Sequence, residues 1–261
     1  MKRVSVLVLL AFVVACGGGG GSDSGPCSIV PNMQRFIAGG EACSGGSPSV
    51  ALILTFDKNQ NLLGECTGAY VSLTSVLTAA HCFSPQVGAV LVASHGNLRN
   101  GTQYFINPAY NGTIGSPFDM AVLRVDKALD GAPLPVLFSS MPVVGDQVAV
   151  FGYGLNTNGK DALTRIQNGE IALDATYTTY AGYLSGTNVI VSTGAGSTCQ
   201  GDSGGPALAK NANGDYGIFG ITRAGPLGCD ADAGRPSYLS STRSVGAVQF
   251  LKQVVPDLDK N

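Results

Sequence analysis

The sequence predicts an all-β body followed by one C-terminal helix, and three observations support this. Short apolar runs, broken by Gly, Pro, Asn and Asp at intervals of roughly 8–12 residues, extend from about Ile37 onward. Glycine accounts for 37 of 261 residues and charged residues for only 12%, a composition that favours turns and strands over long surface helices. Sustained helical periodicity occurs only near the C-terminus.

The expected strands are short, and each is bounded by turn-forming residues. Examples are residues 50–56, 69–71, 76–79, 87–93, 120–125, 147–151, 188–192 and 217–222. In residues 244–255, apolar side chains recur at three- and four-residue steps, which predicts the helix. No internal repeat or break in composition indicates a second enzymatic domain, although two similar β-units in tandem fit the same pattern.

Charge and hydropathy exclude two classes of protein. The formal net charge is −2, and no Lys/Arg cluster occurs beyond Lys2-Arg3, so the chain lacks the basic surface that binds nucleic acid. Mean hydropathy is positive at +0.22, but no uninterrupted apolar run approaches the roughly 20 residues that span a bilayer as a helix. A polytopic membrane protein is therefore not expected.

The first 36 residues predict export. Lys2-Arg3 precedes an apolar stretch over residues 4–15, as in a secretory signal. The stretch ends in VVAC, which resembles the bacterial lipoprotein box and implies lipidation of Cys16; the alternative is an ordinary cleavage site with an incidental cysteine. Residues 17–25 form a Gly/Ser tether with a span of roughly 15–18 Å. We therefore expect a signal peptide with its lipidation cysteine in residues 1–16 and a tether and propeptide in residues 17–36.

Lipidation would place the protein in a bacterial cell envelope. Gly17, rather than Asp, follows the cysteine, which in Gram-negative lipoproteins implies sorting to the outer membrane. The expected location is the outer membrane or cell surface, with extracellular release as the alternative. The lipid anchor would then be the sole membrane contact.

Cysteine usage predicts disulfides. Setting Cys16 aside leaves six cysteines in an oxidising compartment, where disulfides are the default state. Six cysteines allow 15 pairings, which spacing alone does not resolve. The chain contains no CxxC motif, so we expect no structural zinc.

Three segments carry residues suited to nucleophilic catalysis: LTAAHC with His81, FDMAVL with Asp119, and CQGDSGGP with Ser203. A serine hydroxyl is a weak nucleophile at neutral pH and needs an adjacent base, and imidazole titrates near the working pH. A buried carboxylate on the other ring nitrogen fixes the tautomer and stabilises the imidazolium.

The remaining candidates for these roles are weaker. Asp126 and Asp130 lie beyond the strand that follows Asp119, so we expect them in surface turns. His95 has no motif around it and is expected in an exposed loop.

In the order His, Asp, Ser, the segments TAAHC, FDMAVL and GDSGGP resemble the chymotrypsin/trypsin-like serine proteases, over about residues 37–255. The resemblance implies two six-stranded antiparallel β-barrels and a C-terminal helix, with residues 37–261 as the protease domain. It also implies an endopeptidase that acts on proteins or peptides through an acyl-enzyme, with His81, Asp119 and Ser203 catalytic and no metal or organic cofactor. The backbone N–H groups of Gly201 and Ser203 would form the oxyanion hole.

The resemblance also implies disulfides and a zymogen. The disulfides that the resemblance implies are Cys66–Cys82 and Cys199–Cys229. Cys27 and Cys43 would then remain and form a third disulfide. In the family, a newly cut N-terminal Ile or Val pairs its ammonium with the Asp before the nucleophile.

In this chain those two residues would be Ile37 and Asp202, and an activating protease would be a further partner. Phe36 precedes Ile37, so a cut after Arg35 would leave the wrong terminus. A Cys27–Cys43 bridge would keep the tether attached after cleavage.

Four residues bear on specificity by the same resemblance: Ser197, Arg223, Gly225 and Ser237. Ser197 occupies the base of the primary pocket and is neutral, which argues against Arg/Lys specificity and for an apolar or medium-sized side chain. Ser237 replaces a wall glycine and would narrow the pocket. Arg223 would favour an acidic substrate residue if it faced the pocket, whereas a long arginine more often points to solvent.

Two other functions share these features. A protease-like binding module would keep the fold without turnover, and an esterase would use the same residues on small acyl substrates. The presence of His81, Asp119, Ser203 and the glycine-rich loop together favours the endopeptidase.

Overall fold

The structure is a computed structural model. It describes residues 41–44, 49–94, 97–113, 116–155, 172–184, 187, 189–194, 196–225 and 235–258, and for residues 41–44 and 172–175 it describes the backbone alone. The predicted lipidation site Cys16, the tether, Ile37, Cys27, Cys229 and His95 lie outside these residues, as does the side chain of Cys43.

The N-terminal half folds into a closed barrel of six antiparallel strands in the order β2-β3-β4-β7-β6-β5. The strands are β2 (Val50–Phe56), β3 (Leu62–Ser72), β4 (Ser75–Thr78), β5 (Ala89–Ser94), β6 (Asn97–Ile106) and β7 (Ala121–Val125). Pairing of β2 with both β3 and β5 closes the barrel, which leaves no free edge.

The C-terminal half forms a second ring of six strands, with a seventh strand at its edge. These strands are β8 (Gln147–Gly152), β9 (Ala172–Tyr183), β10 (Val189–Thr193), β11 (Pro206–Lys210), β12 (Tyr216–Ala224) and β13 (Ser237–Ser241), and β1 (Glu41–Ser44) pairs with β9. The pairing of β8 with both β9 and β11 closes the ring. The expectation of two six-stranded antiparallel barrels is confirmed.

Apolar side chains of the described residues form three cores. Ile53, Tyr70 and Leu123 belong to a core within the first barrel, and Ile190 and Phe219 belong to one within the second. A third core joins strands of both barrels to the C-terminal helix, through residues that include Leu52, Leu77, Phe151, Phe250 and Leu251. This shared core fixes one barrel against the other.

The C-terminal helix α1 (Val245–Val254) begins and ends where its sequence directs. The Ser244 hydroxyl accepts a hydrogen bond from the Ala247 N–H, which caps the first turn. Pro256 follows the last turn and cannot continue the helix. In the part of the chain that the structure describes, no helix is long and apolar enough to span a membrane.

Candidate active site

Strand register brings His81 and Asp119 together. Strands β4 and β7 are antiparallel neighbours with Thr78 opposite Ala121, so the residues that follow Thr78 lie beside those that precede Ala121. His81 lies in a short 3-10 turn over Ala80–Cys82, and the two flanking residues of that turn are buried. Two sequence-distant motifs therefore meet at one end of the first barrel.

Asp119 binds His81 through both of its carboxylate oxygens. One accepts the backbone N–H of His81 at 2.9 Å, and the other lies 2.6 Å from Nδ1 of the same residue. The Asp119 side chain is 2% exposed and that of His81 35% exposed. This geometry fixes the ring with Nδ1 toward Asp119 and leaves Nε2 as the nitrogen available for proton transfer.

The loop that carries Ser203 comes from the second barrel and is bound by strand β3 of the first. The Thr67 N–H donates to the Ser203 carbonyl oxygen at 2.8 Å, and the Thr67 hydroxyl donates to the Gly201 carbonyl oxygen at 2.8 Å. The same hydroxyl accepts the Tyr153 N–H at 2.9 Å. Thr67 thus joins three segments.

The Cys66–Cys82 disulfide, with the two Cα atoms 6.3 Å apart, confirms that pairing. The carbonyl oxygen of Ser203 lies 3.9 Å from Sγ of Cys82, the residue after His81, so the serine loop packs against the histidine turn. No hydrogen bond joins Ser203 to His81 within the described residues. Such bonds are often long in free enzymes and tighten when substrate binds.

Within residues 201–205 of the serine loop, two N–H groups have no acceptor among the described residues. Those of Asp202, Gly204 and Gly205 donate to carbonyl oxygens of the protein. Among the described residues, the N–H groups of Gly201 and Ser203 have no such acceptor. Gly201 has a φ of 92°, a left-handed conformation that favours glycine.

Asp202 is 1% exposed, and its carboxylate points into the protein. One oxygen accepts the Gly154 N–H and the other the Cys199 N–H, both at 2.8 Å. A Cβ at Gly152 would overlap this carboxylate, so the glycine is needed there. The Asp202 carboxylate therefore links Gly154 to Cys199 and stabilises the serine loop.

Segments from three directions meet where the resemblance places the specificity pocket. The Thr198 N–H donates to the Ser237 hydroxyl at 3.0 Å, and the Thr198 hydroxyl lies 3.3 Å from the Ala224 carbonyl oxygen. A Cβ at Gly225 would overlap the Thr198 carbonyl oxygen. Ser197 is 2% exposed beside them. These segments are therefore in direct contact with one another.

Arg223 is 7% exposed, so the expectation that it points to solvent is wrong. Burial lowers the pKa of Arg223, and the negative charge of Asp119 opposes that shift. Tyr110 lies near both groups: burial and Asp119 raise the pKa of its phenol, and Arg223 lowers it. The charges of Asp119, Tyr110 and Tyr238 all favour the protonated guanidinium.

The other predicted residues lie as follows. Asp126 and Asp130 are exposed; Asp126 accepts hydrogen bonds from Asn100, and Asp130 pairs with Arg99. Cys199 is disulfide-bonded, and its expected partner Cys229 lies outside the described residues.

The side-chain atoms of Cys66, His81 and Cys82 that could bind a metal ion lie within 4.8 Å of one another. The two cysteines bond to each other, so they offer no thiolates to a metal.

Sequence reasoning missed three residues that shape this site: Thr67, Tyr110 and Thr198. Each lies close to a recognised cysteine or aspartate in space, but none belongs to a motif. Thr67 directly follows Cys66 and Thr198 directly precedes Cys199, and these positions beside the predicted cysteines are the signals that would have indicated the two threonines.

Comparison with known proteins gives one family model, two relatives and one solved structure. The family model described as Trypsin matches residues 37–244. Chymotrypsin-like elastase family member 1 of Bos taurus is 29% identical over 222 residues, covering 77% of this chain and 83% of the relative. The Rattus norvegicus counterpart is 28% identical over 243 residues, covering 85% and 90%. Among solved structures, HL collagenase aligns with a TM-score of 0.63 at 18% identity, over 87% of this chain and 99% of that one, a likeness of fold.

Proposed function

Because the chain belongs to the trypsin family, we propose that it is a serine endopeptidase that hydrolyses peptide bonds through an acyl-enzyme intermediate. The observation that carries this proposal is the buried Asp119 carboxylate, which accepts two N–H groups of His81 next to the loop of Ser203. That arrangement has the parts needed to activate a serine hydroxyl.

Each residue has a defined part in the proposed reaction. Ser203 Oγ attacks the scissile carbonyl carbon while Nε2 of His81 takes its proton and then gives that proton to the leaving amine. Asp119 holds the imidazole and stabilises its protonated form. Water then attacks the acyl-enzyme with His81 as base, and Ser203 is regenerated.

Charge that develops on the carbonyl oxygen requires preorganised donors. The free N–H groups of Gly201 and Ser203 support this role, because donors already used within the protein would be unavailable to substrate. Loss of one such donor costs about 3–4 kcal/mol of transition-state stabilisation in comparable enzymes.

Specificity for small or medium-sized apolar side chains is the finer proposal. The absence of an acidic group at Ser197 and the close approach of Thr198 to Ser237 and Ala224 support it. Cleavage of a peptide library should fall after small apolar residues, and Ser237→Gly should extend it to larger ones. Cleavage mainly after Lys or Arg would contradict this proposal.

Export and lipid anchoring through Cys16 form a separate proposal, supported by the sequence of residues 1–36 alone. Metabolic labelling with a fatty acid should mark the protein and fail to mark Cys16→Ser. Equal labelling of both proteins would refute the anchor.

Activation by cleavage before Ile37 is also proposed. The interior position of the Asp202 carboxylate supports it. Sequencing the N-terminus of active protein tests it: a chain that begins at Cys16 without an internal cut would contradict it.

The endopeptidase itself is tested by peptide hydrolysis. Wild-type protein is assayed uncut and cut before Ile37; the cut form should cleave the library, and Ser203→Ala should not. Activity on esters alone would indicate an esterase. Inactivity of both forms on peptides and esters would favour the binding module.

A further inference from the structure

Three Asn-Gly steps lie among the described residues: Asn100-Gly101, Asn111-Gly112 and Asn213-Gly214. At such a step the asparagine amide can react with the next backbone nitrogen, because glycine has no Cβ to shield that nitrogen or to restrict its dihedral angles. The first two steps are both followed by threonine, so they share the tripeptide Asn-Gly-Thr. A difference in reactivity between these two therefore reports on structure rather than on the adjacent sequence.

The step Asn100-Gly101 is held within the first barrel. Gly101 is buried in β6, opposite Val125 of β7. The Asn100 side-chain amide donates to the Asp126 carboxylate at 2.9 Å. The nitrogen of Gly101 therefore cannot approach that amide unless the strand opens.

The step Asn213-Gly214 is exposed in the turn between β11 and β12, but its glycine nitrogen is engaged. The Gly214 N–H donates to the Asn211 carbonyl oxygen at 3.0 Å, and the Asn211 N–H donates to the Asp215 carbonyl oxygen at 2.8 Å. Attack by the Gly214 nitrogen would first require the hydrogen bond to Asn211 to break.

The step Asn111-Gly112, in the loop after β6, has neither restraint. Both residues are exposed, and the Gly112 N–H has no acceptor among the described residues. Gly112 has a φ of 76°, and a Cβ there would meet nothing within 4 Å. Its nitrogen is therefore open to solvent and free to move toward the side chain of Asn111.

Thr113 binds the amide that would be attacked. Oδ1 of Asn111 accepts the Thr113 N–H at 3.1 Å and the Thr113 hydroxyl at 2.8 Å. These two donors draw electron density from the amide carbon. They would also stabilise the negative charge that develops on Oδ1 when a nucleophile adds to Cγ, as the donors of an oxyanion hole do.

We propose that Asn111 is a site of spontaneous deamidation, promoted by the two donors of Thr113. The backbone nitrogen of Gly112 loses its proton to hydroxide and attacks Cγ of Asn111. A bond forms between that nitrogen and Cγ, the bond from Cγ to Nδ2 breaks, and ammonia leaves a five-membered succinimide. Water then opens the succinimide at either carbonyl and gives aspartate or isoaspartate at position 111, without any oxidant or reductant.

The modification would change the segment that leads to Asp119. Both products add a negative charge, and isoaspartate also lengthens the backbone. Tyr110, the residue before Asn111, packs against the core that contains Ala80 and Cys82, the neighbours of His81. The inference goes beyond the proposed endopeptidase and does not depend on it.

The test follows all three asparagines in one sample of folded, full-length protein that carries Ser203→Ala to prevent self-digestion. The protein is incubated at mildly alkaline pH, and mass spectrometry of digested samples measures aspartate and isoaspartate at each position over time. Asn111 should convert about tenfold faster than Asn100 and Asn213, because at those steps a strand must open or a hydrogen bond must break first. Equal rates at Asn111 and Asn213, or no conversion of Asn111, would overturn the proposal.

The unfolded chain is the control for local sequence. In urea with the disulfides reduced, Asn100 and Asn111 should convert at similar rates, because both lie in the tripeptide Asn-Gly-Thr. If the difference between them were as large in urea as in the folded protein, the sequence rather than the structure would set the rate, and the proposal would fail.

A pair of variants tests the part played by Thr113. Thr113→Val keeps the backbone N–H but removes the hydroxyl donor, so conversion of Asn111 should slow about two- to tenfold while that of Asn213 stays unchanged. Thr113→Ser keeps the hydroxyl and should restore the original rate. An unchanged rate at Asn111 in Thr113→Val, or a slow rate in Thr113→Ser, would overturn the role of Thr113.

Discussion

Gly204 has a φ of 85° and lies where both barrels meet the serine loop. A Cβ there would overlap the Thr78 hydroxyl and the Thr67 carbonyl oxygen, and would lie 2.7 Å from the Ala79 backbone nitrogen. These atoms belong to the buried strands that position His81, so they cannot shift freely. Gly204 of the GDSGGP motif is thus required by two independent constraints: its positive φ and the lack of space for a Cβ.

Gly204→Ala should therefore lower the free energy of unfolding by about 3–4 kcal/mol and abolish fluorophosphonate labelling. Gly214→Ala is the matched control, because its φ is 90° with nothing within 4 Å of the added Cβ. That variant should lose about 1–2 kcal/mol, the cost of the left-handed conformation alone, and keep its labelling. Urea unfolding compares the two, and equal losses would show that the steric account of Gly204 is wrong.

Strand β3 supports the serine loop through Thr67. Thr67→Val keeps the shape of the side chain but removes the acceptor for the Tyr153 N–H and the donor to Gly201. We expect a loss of about 1–3 kcal/mol in unfolding free energy, because the two hydrogen bonds of the buried hydroxyl are lost. Labelling should slow, since Gly201 carries a proposed oxyanion N–H. Thr102→Val is the control, because Thr102 is exposed on strand β6. Equal effects of the two substitutions would contradict the role of Thr67 in supporting the serine loop.

The elements also show what the sequence could predict. Strand β2 was predicted with its observed bounds, because its residues are buried and apolar. Strands β1, β6, β9, β11 and β13 have no counterpart among the strands named from the sequence; β6 contains Asn, Arg, Gln and Thr, and β9 is rich in Thr and Tyr. Such strands are held by pairing with their neighbours inside a closed barrel rather than by an apolar pattern of their own.

The proposed catalytic residues are divided between the two barrels. His81 and Asp119 come from the first barrel and Ser203 from the second, and the Cys66–Cys82 disulfide of the first barrel packs against the carbonyl oxygen of Ser203. Motifs predicted these three residues because each has a recognisable local sequence. Thr67 and the buried position of Arg223 depend on contacts between distant segments, which a single sequence does not reveal.

Replacing both Cys66 and Cys82 by Ala should reduce stability by about 3 kcal/mol, as expected for a disulfide that closes a loop of this size. Labelling should fall at temperatures below global unfolding, because the histidine turn loses its link to β3. Labelling and circular dichroism followed together during heating test this. Simultaneous loss of both signals, at the wild-type temperature, would contradict it.

The central claim is that His81 and Asp119 activate Ser203. The most direct measurement is fluorophosphonate labelling of wild-type protein, uncut and cut before Ile37, beside Ser203→Ala and Asp119→Asn, with the labelled residue identified by mass spectrometry. We predict a label on Ser203 in at least one wild-type form, none in Ser203→Ala, and labelling slowed by several orders of magnitude in Asp119→Asn. Absence of label from both wild-type forms, or a label on another residue, would contradict the claim.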